Sequence, residues 1–333
     1  MILHPTVIGN LVGSSITTGM VVYAATYGLQ ILKHWNIESG AELQLILERK
    51  TYLISTFLAF AFGMQLISLF LFVFTADRLT PLFVGAMCAA GTLNVNAFGY
   101  PTLLLKILNF VLAGLWLVLN YADNQGYDYP LIKWKYGLLV VIAPFILLES
   151  IMEFAYFIGM KPNVITSCCG SLFSSENATG LGSEIAGFPP EPMMVIFYLA
   201  LLLTLLSGLY AYLTKKTTYL YAILSVIMFV IAIASIISFI SLYIYEIPTH
   251  HCPFCLVTRD YSFIGYVLYP LLFGAVVSGM GVGILNPFIE CESLRLILPK
   301  IIRKSTLISF SCYSLFGLIV TYEIVFSNLI MRG

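Results

Sequence analysis

Residues 217–245 read TTYLYAILSVIMFVIAIASIISFISLYIY and carry no charged side chain. A helix of roughly 20 apolar residues crosses the hydrocarbon core of a bilayer, so this run is long enough to span one. Seven further runs share its character: Pro5–Leu32, Thr51–Ala76, Pro101–Tyr121, Trp134–Met160, Glu191–Thr214, Asp260–Leu285 and Ser305–Ile330. The whole chain is 60% apolar and 10% charged, against about 45–50% and about 25% in soluble domains. So few charges cannot cover a water-facing surface, which excludes a soluble enzyme. The formal net charge is +0, and no basic surface speaks for nucleic acid as a partner. The fold class expected is all-α, a polytopic membrane helical bundle of about eight transmembrane helices in the lipid bilayer.

A ninth apolar piece, residues 81–99, reads PLFVGAMCAAGTLNVNAFG. Its glycines and two asparagines suit a segment that dips in and returns. Short cytoplasmic loops carry the excess of Lys and Arg, and this bias separates the two topologies. With 81–99 re-entrant and the N-terminus outside, Lys33, Arg49, Lys50, Lys133, Lys135, Lys215, Lys216, Arg295, Lys300, Arg303 and Lys304 are cytoplasmic. Only Arg78, Lys161, Arg259 and Arg332 are outside. A full crossing would move most of the first group outside. Irregular backbone at membrane depth needs protein or water around it, so the segment is expected to pack inside the bundle. Met1–Pro5 has no basic stretch, and no cleaved signal peptide is expected. The division expected is 1–129, membrane helices with the re-entrant 81–99; 130–286, a four-helix redox bundle; and 287–333, a basic cytoplasmic loop and a final helix.

This topology sorts the seven cysteines. Cys168 and Cys169 fall in the long outer loop, which also holds the Asn177-Ala178-Thr179 sequon. Cys252 and Cys255 fall in the outer run THHCPFCLVTRDY. Both pairs share the non-cytoplasmic face, where disulfides persist. Cys88, Cys291 and Cys312 have no sequence partner, and Cys88 and Cys312 read as small buried hydrophobes. A Cys-x-x-Cys at a helix N-terminus has its sulfurs within bridging distance, with free N–H groups and the helix dipole favouring a thiolate. His250, His251 and Arg259 add positive charge, and Arg259, four residues after Cys255, is expected on the same helical face. Cys252 is expected to face the aqueous loop and Cys255 to lie one turn deeper. Such a dithiol suits exchange with a soluble protein on one side and a lipid-soluble oxidant on the other. The alternatives are a structural disulfide, or a zinc or copper site from Cys252, Cys255, His250 and His251. Haem attachment fails because Leu256, not His, follows the second cysteine. Adjacent Cα atoms lie about 3.8 Å apart, so a Cys168–Cys169 bridge would be strained and easily reduced.

The order of loop cysteines, two spans, then Cys-x-x-Cys resembles the vitamin K epoxide reductase family and its bacterial quinone-linked homologues. The loop Ser167-Cys168-Cys169-Gly170-Ser171-Leu172-Phe173-Ser174-Ser175 is similar to the family's Cys, three residues, Phe, then serines. Ser183-Glu184-Ile185-Ala186-Gly187-Phe188-Pro189 resembles its Ser…Ala…Gly-x-Pro approach to the next span, and Phe197-Tyr198 falls where an aromatic is common. The motif with Arg259 also looks like that of the disulfide-bond formation protein B family. The resemblance covers about residues 134–285. The family's loop cysteines are separated by several residues, whereas these are adjacent. The resemblance implies that Cys252 and Cys255 are the redox pair beside a quinone of the ubiquinone or menaquinone class. It implies a shuttle at Cys168 and Cys169, and quinone contacts from Arg259, Phe254, Ser174 and Ser175. With no fused thioredoxin domain in the chain, it implies a separate thioredoxin-fold partner on the non-cytoplasmic side.

Ionisable groups inside a span default to functional hypotheses. Glu149 and Glu153, four residues apart, share a helical face, and Lys106 sits at a depth similar to Glu153. A Lys106–Glu153 ion pair is one expectation, a proton route the other, while Asn94 and Asn96 either line a polar cavity or satisfy loose backbone. The function expected is a quinone-dependent thiol–disulfide oxidoreductase with no metal. The termini and both cysteine loops would be non-cytoplasmic, in a bacterial or archaeal plasma membrane. The alternatives are a metal-handling or transport protein, and a non-catalytic subunit of a larger membrane respiratory complex.

Overall fold

The computed structural model describes residues 3–37, 42–161, 164–166, 188–214 and 218–329. Among the described residues, eight helices are long and apolar enough to cross a membrane: α1 (Pro5–His34), α2 (Glu42–Arg78), α4 (Gly99–Asp123), α5 (Ile132–Ile158), α6 (Pro190–Thr214), α7 (Thr218–Tyr245), α8 (Gly265–Leu285) and α9 (Leu298–Phe326). A five-residue helix, α3 (Ala89–Leu93), lies between α2 and α4. Among the described residues there is no strand, only an isolated bridge between Val84 and Ile165. The protein is an all-α, multi-pass integral membrane protein. Large apolar side chains such as Phe60, Met64, Leu199, Leu202 and Leu318 face outward, while Asn109, Lys106 and Glu153 are buried. A soluble fold would show the reverse pattern, and lipid is the solvent that permits this one.

Residues 81–99 do not form a spanning helix. A 3₁₀ turn at Thr80–Leu82 ends in extended Phe83, and Gly85 adopts φ 88°. A side chain there would be strained and would meet the Thr166 carbonyl. Thr166 pins the segment twice, its N–H donating to the Val84 carbonyl at 3.0 Å and its hydroxyl to the Gly91 carbonyl at 2.8 Å. The buried α3 follows.

The chain divides into two compact units, and the division differs from the one read in the sequence. One unit comprises Met1–Thr75, Asn96–Lys161 and Pro287–Ile301; the other comprises Ala76–Val95, Pro162–Asn286 and Ile302–Gly333. Helix α5 thus joins α1 and α4 rather than the cysteine-bearing helices, and residues 81–95 and the final helix join the cysteines. Lipophilicity marks where helices lie and is blind to which helices touch.

In the first unit, α5 packs on α1 and α4. Its core holds Tyr27, Ile31, Trp35, Phe62, Trp116, Tyr136 and Ile142. Gly28 lets the Tyr136 ring lie against α1, and Phe62 meets Trp116 with centroids 4.9 Å apart. Lys135, expected in a cytoplasmic loop, instead lies buried in the first turn of α5. Its ammonium donates to Asp123 Oδ2 at 2.6 Å and to Asn120 Oδ1 at 3.1 Å. Asp123 Oδ1 accepts the Leu131 N–H, and Trp116 Nε1 donates to the Lys135 carbonyl. One cation meets one anion, so this buried pair is neutral.

In the second unit, α7 packs against α6 and α8. Close approach relies on Gly208, against the Tyr221 ring, and on Gly279, where a methyl group would collide with Ser225 and Ser309. The Tyr313 hydroxyl donates to the Ser225 carbonyl at 2.6 Å and Ser309 to the Ala275 carbonyl at 2.7 Å, tying α9 to α7 and α8. Helix α7 widens into a π turn at Ile236–Ile240 before resuming and ending at Glu246, a left-handed residue. Helix α8 starts at Gly265, five residues later than the apolar run suggests, because Ser262 and Phe263 both adopt positive φ and break the backbone.

Removing one partner of a buried ion pair leaves the other charge uncompensated, which costs about 3–5 kcal/mol. Lys135→Met should therefore lower the stability of the detergent-solubilised protein by about that amount in thermal or denaturant unfolding. The double replacement Lys135→Met with Asp123→Leu should recover much of the loss. Equal losses in the single and double variants would show that the pair is not what holds these helix ends.

Candidate functional site

The Cys-x-x-Cys run does not open a long helix. Cys252 precedes a 3₁₀ turn at Cys255–Val257, Thr258 is extended, and a second 3₁₀ turn follows at Arg259–Tyr261. Nine residues therefore lie between Cys255 and the start of α8, and the expected dipole of a spanning helix does not act on the motif. Arg259 is exposed and sits on a separate turn from Cys255, so the expected shared face is absent. Cys252 does not face water either: it is fully buried, at 0%, and Cys255 is buried at 7%. Gly265 allows this compact arrangement, since a side chain there would press on Leu256 and Val257.

The residue that sequence reasoning missed is Cys88. It sits at the head of α3, at 0% exposure, with its sulfur 3.4 Å from that of Cys252. The sulfurs of Cys88, Cys252 and Cys255 all lie within 4.8 Å of one another. Cys88 is thus part of the cluster rather than a small core hydrophobe. The two segments are 164 residues apart in the chain, and no local pattern links them. The available signal was the need to pack the re-entrant segment inside the bundle.

Tyrosines and histidines fix the motif. The Tyr245 hydroxyl donates to the Cys252 carbonyl at 2.6 Å, and the Tyr269 hydroxyl donates to the Pro253 carbonyl at 2.6 Å. Thr258 donates to the Cys255 carbonyl at 2.7 Å. His250 Nε2 lies 3.2 Å from the Cys255 sulfur, and the His250 ring stands edge-on to Tyr245. His251 Nδ1 lies 2.9 Å from the Ile237 carbonyl within the π turn. A carbonyl only accepts, so Nδ1 carries the proton there. Burial, and then the neighbouring His251, push the His250 pKa down, so the imidazole is neutral near pH 7. The Cys255 sulfur, followed by burial, holds the Cys252 thiol well above the usual thiol range, while Cys88 and the Phe254 N–H act in the opposite sense. Cys252 is therefore a protonated thiol at neutral pH, and the expectation of a dipole-stabilised thiolate fails at this position.

Of the other residues singled out, Phe254 is buried within the motif. Cys168, Cys169, Ser174, Ser175 and the sequon lie outside the described residues. Asn96 donates to the Tyr156 carbonyl and accepts the Phe98 N–H, which satisfies backbone. Lys106, Glu149 and Glu153 do come together, in the first unit: the Lys106 ammonium reaches Glu149 at 2.8 Å and Glu153 at 3.1 Å. The expected partner Glu153 is thus joined by a closer one.

The site and fold together define a helical integral membrane protein with a buried three-thiol cluster. Comparison of the chain with protein-family models, with curated proteins and with solved structures finds no match. The resemblance to the vitamin K epoxide reductase family therefore rests on the quoted residues alone.

Alkylation reads the thiol burial directly. Each unit of pKa rise removes about nine-tenths of the reactive thiolate. Cys252 in the native protein should react with iodoacetamide at least about tenfold more slowly than the half-buried Cys291, with the gap closing in denaturant. Equal native rates would show that Cys252 is open to water.

Proposed function

We propose that this protein is a membrane thiol–disulfide oxidoreductase, with Cys252 and Cys255 as its redox pair and Cys88 as a third thiol of the same centre. The observation that carries this reading is the approach of Cys88 to Cys252 within a buried cluster that includes a Cys-x-x-Cys. Three mutually close thiols allow more than one disulfide, Cys252–Cys255 and Cys88–Cys252 among them, interconverted by thiolate attack on sulfur. The neutral His250 is positioned to take the Cys255 proton, making Cys255 the nucleophile and Cys252 the thiol held protonated. Closing either disulfide from two thiols releases two protons and two electrons. The electron acceptor in this reading is a membrane quinone, which becomes quinol. Phe254, buried within the motif, is a candidate quinone contact, and Arg259, Ser174 and Ser175 remain candidates from the resemblance. Cys168 and Cys169 are the proposed shuttle to a thioredoxin-fold partner on the non-cytoplasmic side of a bacterial or archaeal plasma membrane.

A second reading has one specific observation in its favour. Three sulfurs within 4.8 Å, with an imidazole beside one of them, form a donor set suited to zinc or copper(I). In that reading the protein handles a soft metal rather than electrons.

Mass-tagged alkylation of purified protein, with and without a short-chain quinone, separates the two. The redox reading predicts quinone-dependent loss of two free thiols per chain, mapped within Cys88, Cys252 and Cys255 and abolished when Cys252 and Cys255 are both replaced by Ala. Thiols that stay reduced under excess quinone would sink it. Stoichiometric copper(I) or zinc binding that disappears in Cys88→Ser, with inert thiols, would establish the second reading instead.

A further inference from the structure

In the first unit, α2, α4 and α5 bring Gln65, Ser68, Lys106, Asn109, Glu149 and Glu153 together. Lys106, Asn109, Glu149 and Glu153 are between 0% and 2% exposed. The bonding is unequal. Glu149 is saturated: Oε1 accepts from the Lys106 ammonium at 2.8 Å, and Oε2 accepts from Gln65 Nε2 and Asn109 Nδ2, both at 2.6 Å. Two amide N–H groups aimed at one oxygen require an acceptor, so Glu149 is the ionised carboxylate. Lys106 uses all three of its protons, on Glu149, on Glu153 at 3.1 Å and on the Ser68 hydroxyl at 2.7 Å. From Lys106, Glu153 receives the longest of the three bonds, on Oε2, and its Oε1 has no well-aligned hydrogen-bond partner. The Asn109 Oδ1 atom, buried in the same cluster, has none either.

The charges do not balance. One ammonium faces two carboxylates, whereas Lys135 and Asp123 balance one to one. An uncompensated charge buried in a membrane helix is costly. The charged groups acting on Glu153 are Lys106 from α4 and Glu149 from its own helix. The α1 helix offers the Ser14 hydroxyl beside the carboxyl. The α2 helix offers Gln65, Ser68 and the Phe72 ring, 5.3 Å from the Lys106 nitrogen, and none of these titrates near neutral pH.

We propose that Glu153 is an exchangeable proton-binding site inside the membrane-spanning helices, with Lys106 and Glu149 as its fixed, charged partners. Proton uptake converts the Glu153 carboxylate to a carboxylic acid, taking the cluster from one net negative charge to none. The unpartnered Glu153 Oε1 is the oxygen available to the incoming proton. This inference is independent of the thiol reading, since it uses no cysteine.

A hydrophobic carbodiimide, which modifies protonated carboxyl groups in apolar surroundings, tests it on the full-length protein in detergent or liposomes. Peptide mass spectrometry should find the adduct on Glu153 and not on Glu149. Its rate should fall by about tenfold per pH unit above the titration point, as for release of a single proton. Glu153→Gln, a neutral isostere of the protonated acid, should abolish the adduct while leaving thermal stability at neutral pH unchanged or raised. Glu149→Gln should lower stability, because it strands Lys106. Labelling that ignores pH, an adduct on Glu149, or an equal stability loss in both variants would overturn the proposal. Protection by sodium or potassium at constant pH would overturn it in favour of a metal-cation site.

Discussion

A charge held inside a bilayer has to find its counter-charge within the protein, because no water is there to supply one. That constraint organises the first unit. Two lysines lie buried in its helices, and each is met by carboxylates on neighbouring turns or helices: Lys135 by Asp123, Lys106 by Glu149 and Glu153. Around them the helices close on Trp116, Tyr136 and Phe62, and the leucines that would form the core of a soluble protein face lipid. The two lysine sites share a design and differ in arithmetic. The neutral pair is complete in itself, while the triad has one acid too many, and the proposal of proton exchange at Glu153 rests on that difference.

The second unit meets a related constraint with neutral groups. Its cluster of three thiols is enclosed, and the polar backbone around it is capped by hydroxyls from Tyr245, Tyr269 and Thr258. Burial acts on the thiols in the direction opposite to that expected at a helix N-terminus. Together with the Cys255 sulfur, the larger influence, it keeps Cys252 protonated, and His250, itself neutral, lies beside Cys255. A centre of this kind is shut off from bulk water by the protein around it.

The eight spans and the irregular 81–99 segment were legible because each depends on local composition: length of apolar run, glycine content, absence of charge. What local composition cannot encode is which spans touch, and the expected division into units failed there. Lys135 was misassigned because its partner, Asp123, ends a different helix. Arg259 was misplaced because Thr258 interrupts the helix that a spacing of four presupposes, and positive φ at Ser262 and Phe263 is invisible in side-chain polarity. The motif cysteines were legible from their spacing, whereas Cys88 was not, since only tertiary structure brings it to Cys252. In the triad, the face shared by Glu149 and Glu153 follows from helical periodicity, but the inequality of their bonding emerged only with Gln65 and Asn109 in place.

The π turn in α7 has a consequence for how tightly the thiol centre is bound to helix phase. Each residue of a helix advances the chain by about 100° around its axis, and a wide turn shifts the phase of everything downstream. Tyr245, whose hydroxyl holds the Cys252 carbonyl, lies beyond the turn, and the Ile237 carbonyl within it receives His251. The turn thus works like a keyway that sets the angular position of the last stretch of α7. Loss of a single residue from Ile236–Ile240 would leave an apolar span of nearly the same length, indistinguishable to the membrane. It would nonetheless rotate Tyr245 about a quarter of the way around the helix, away from the cysteines it braces.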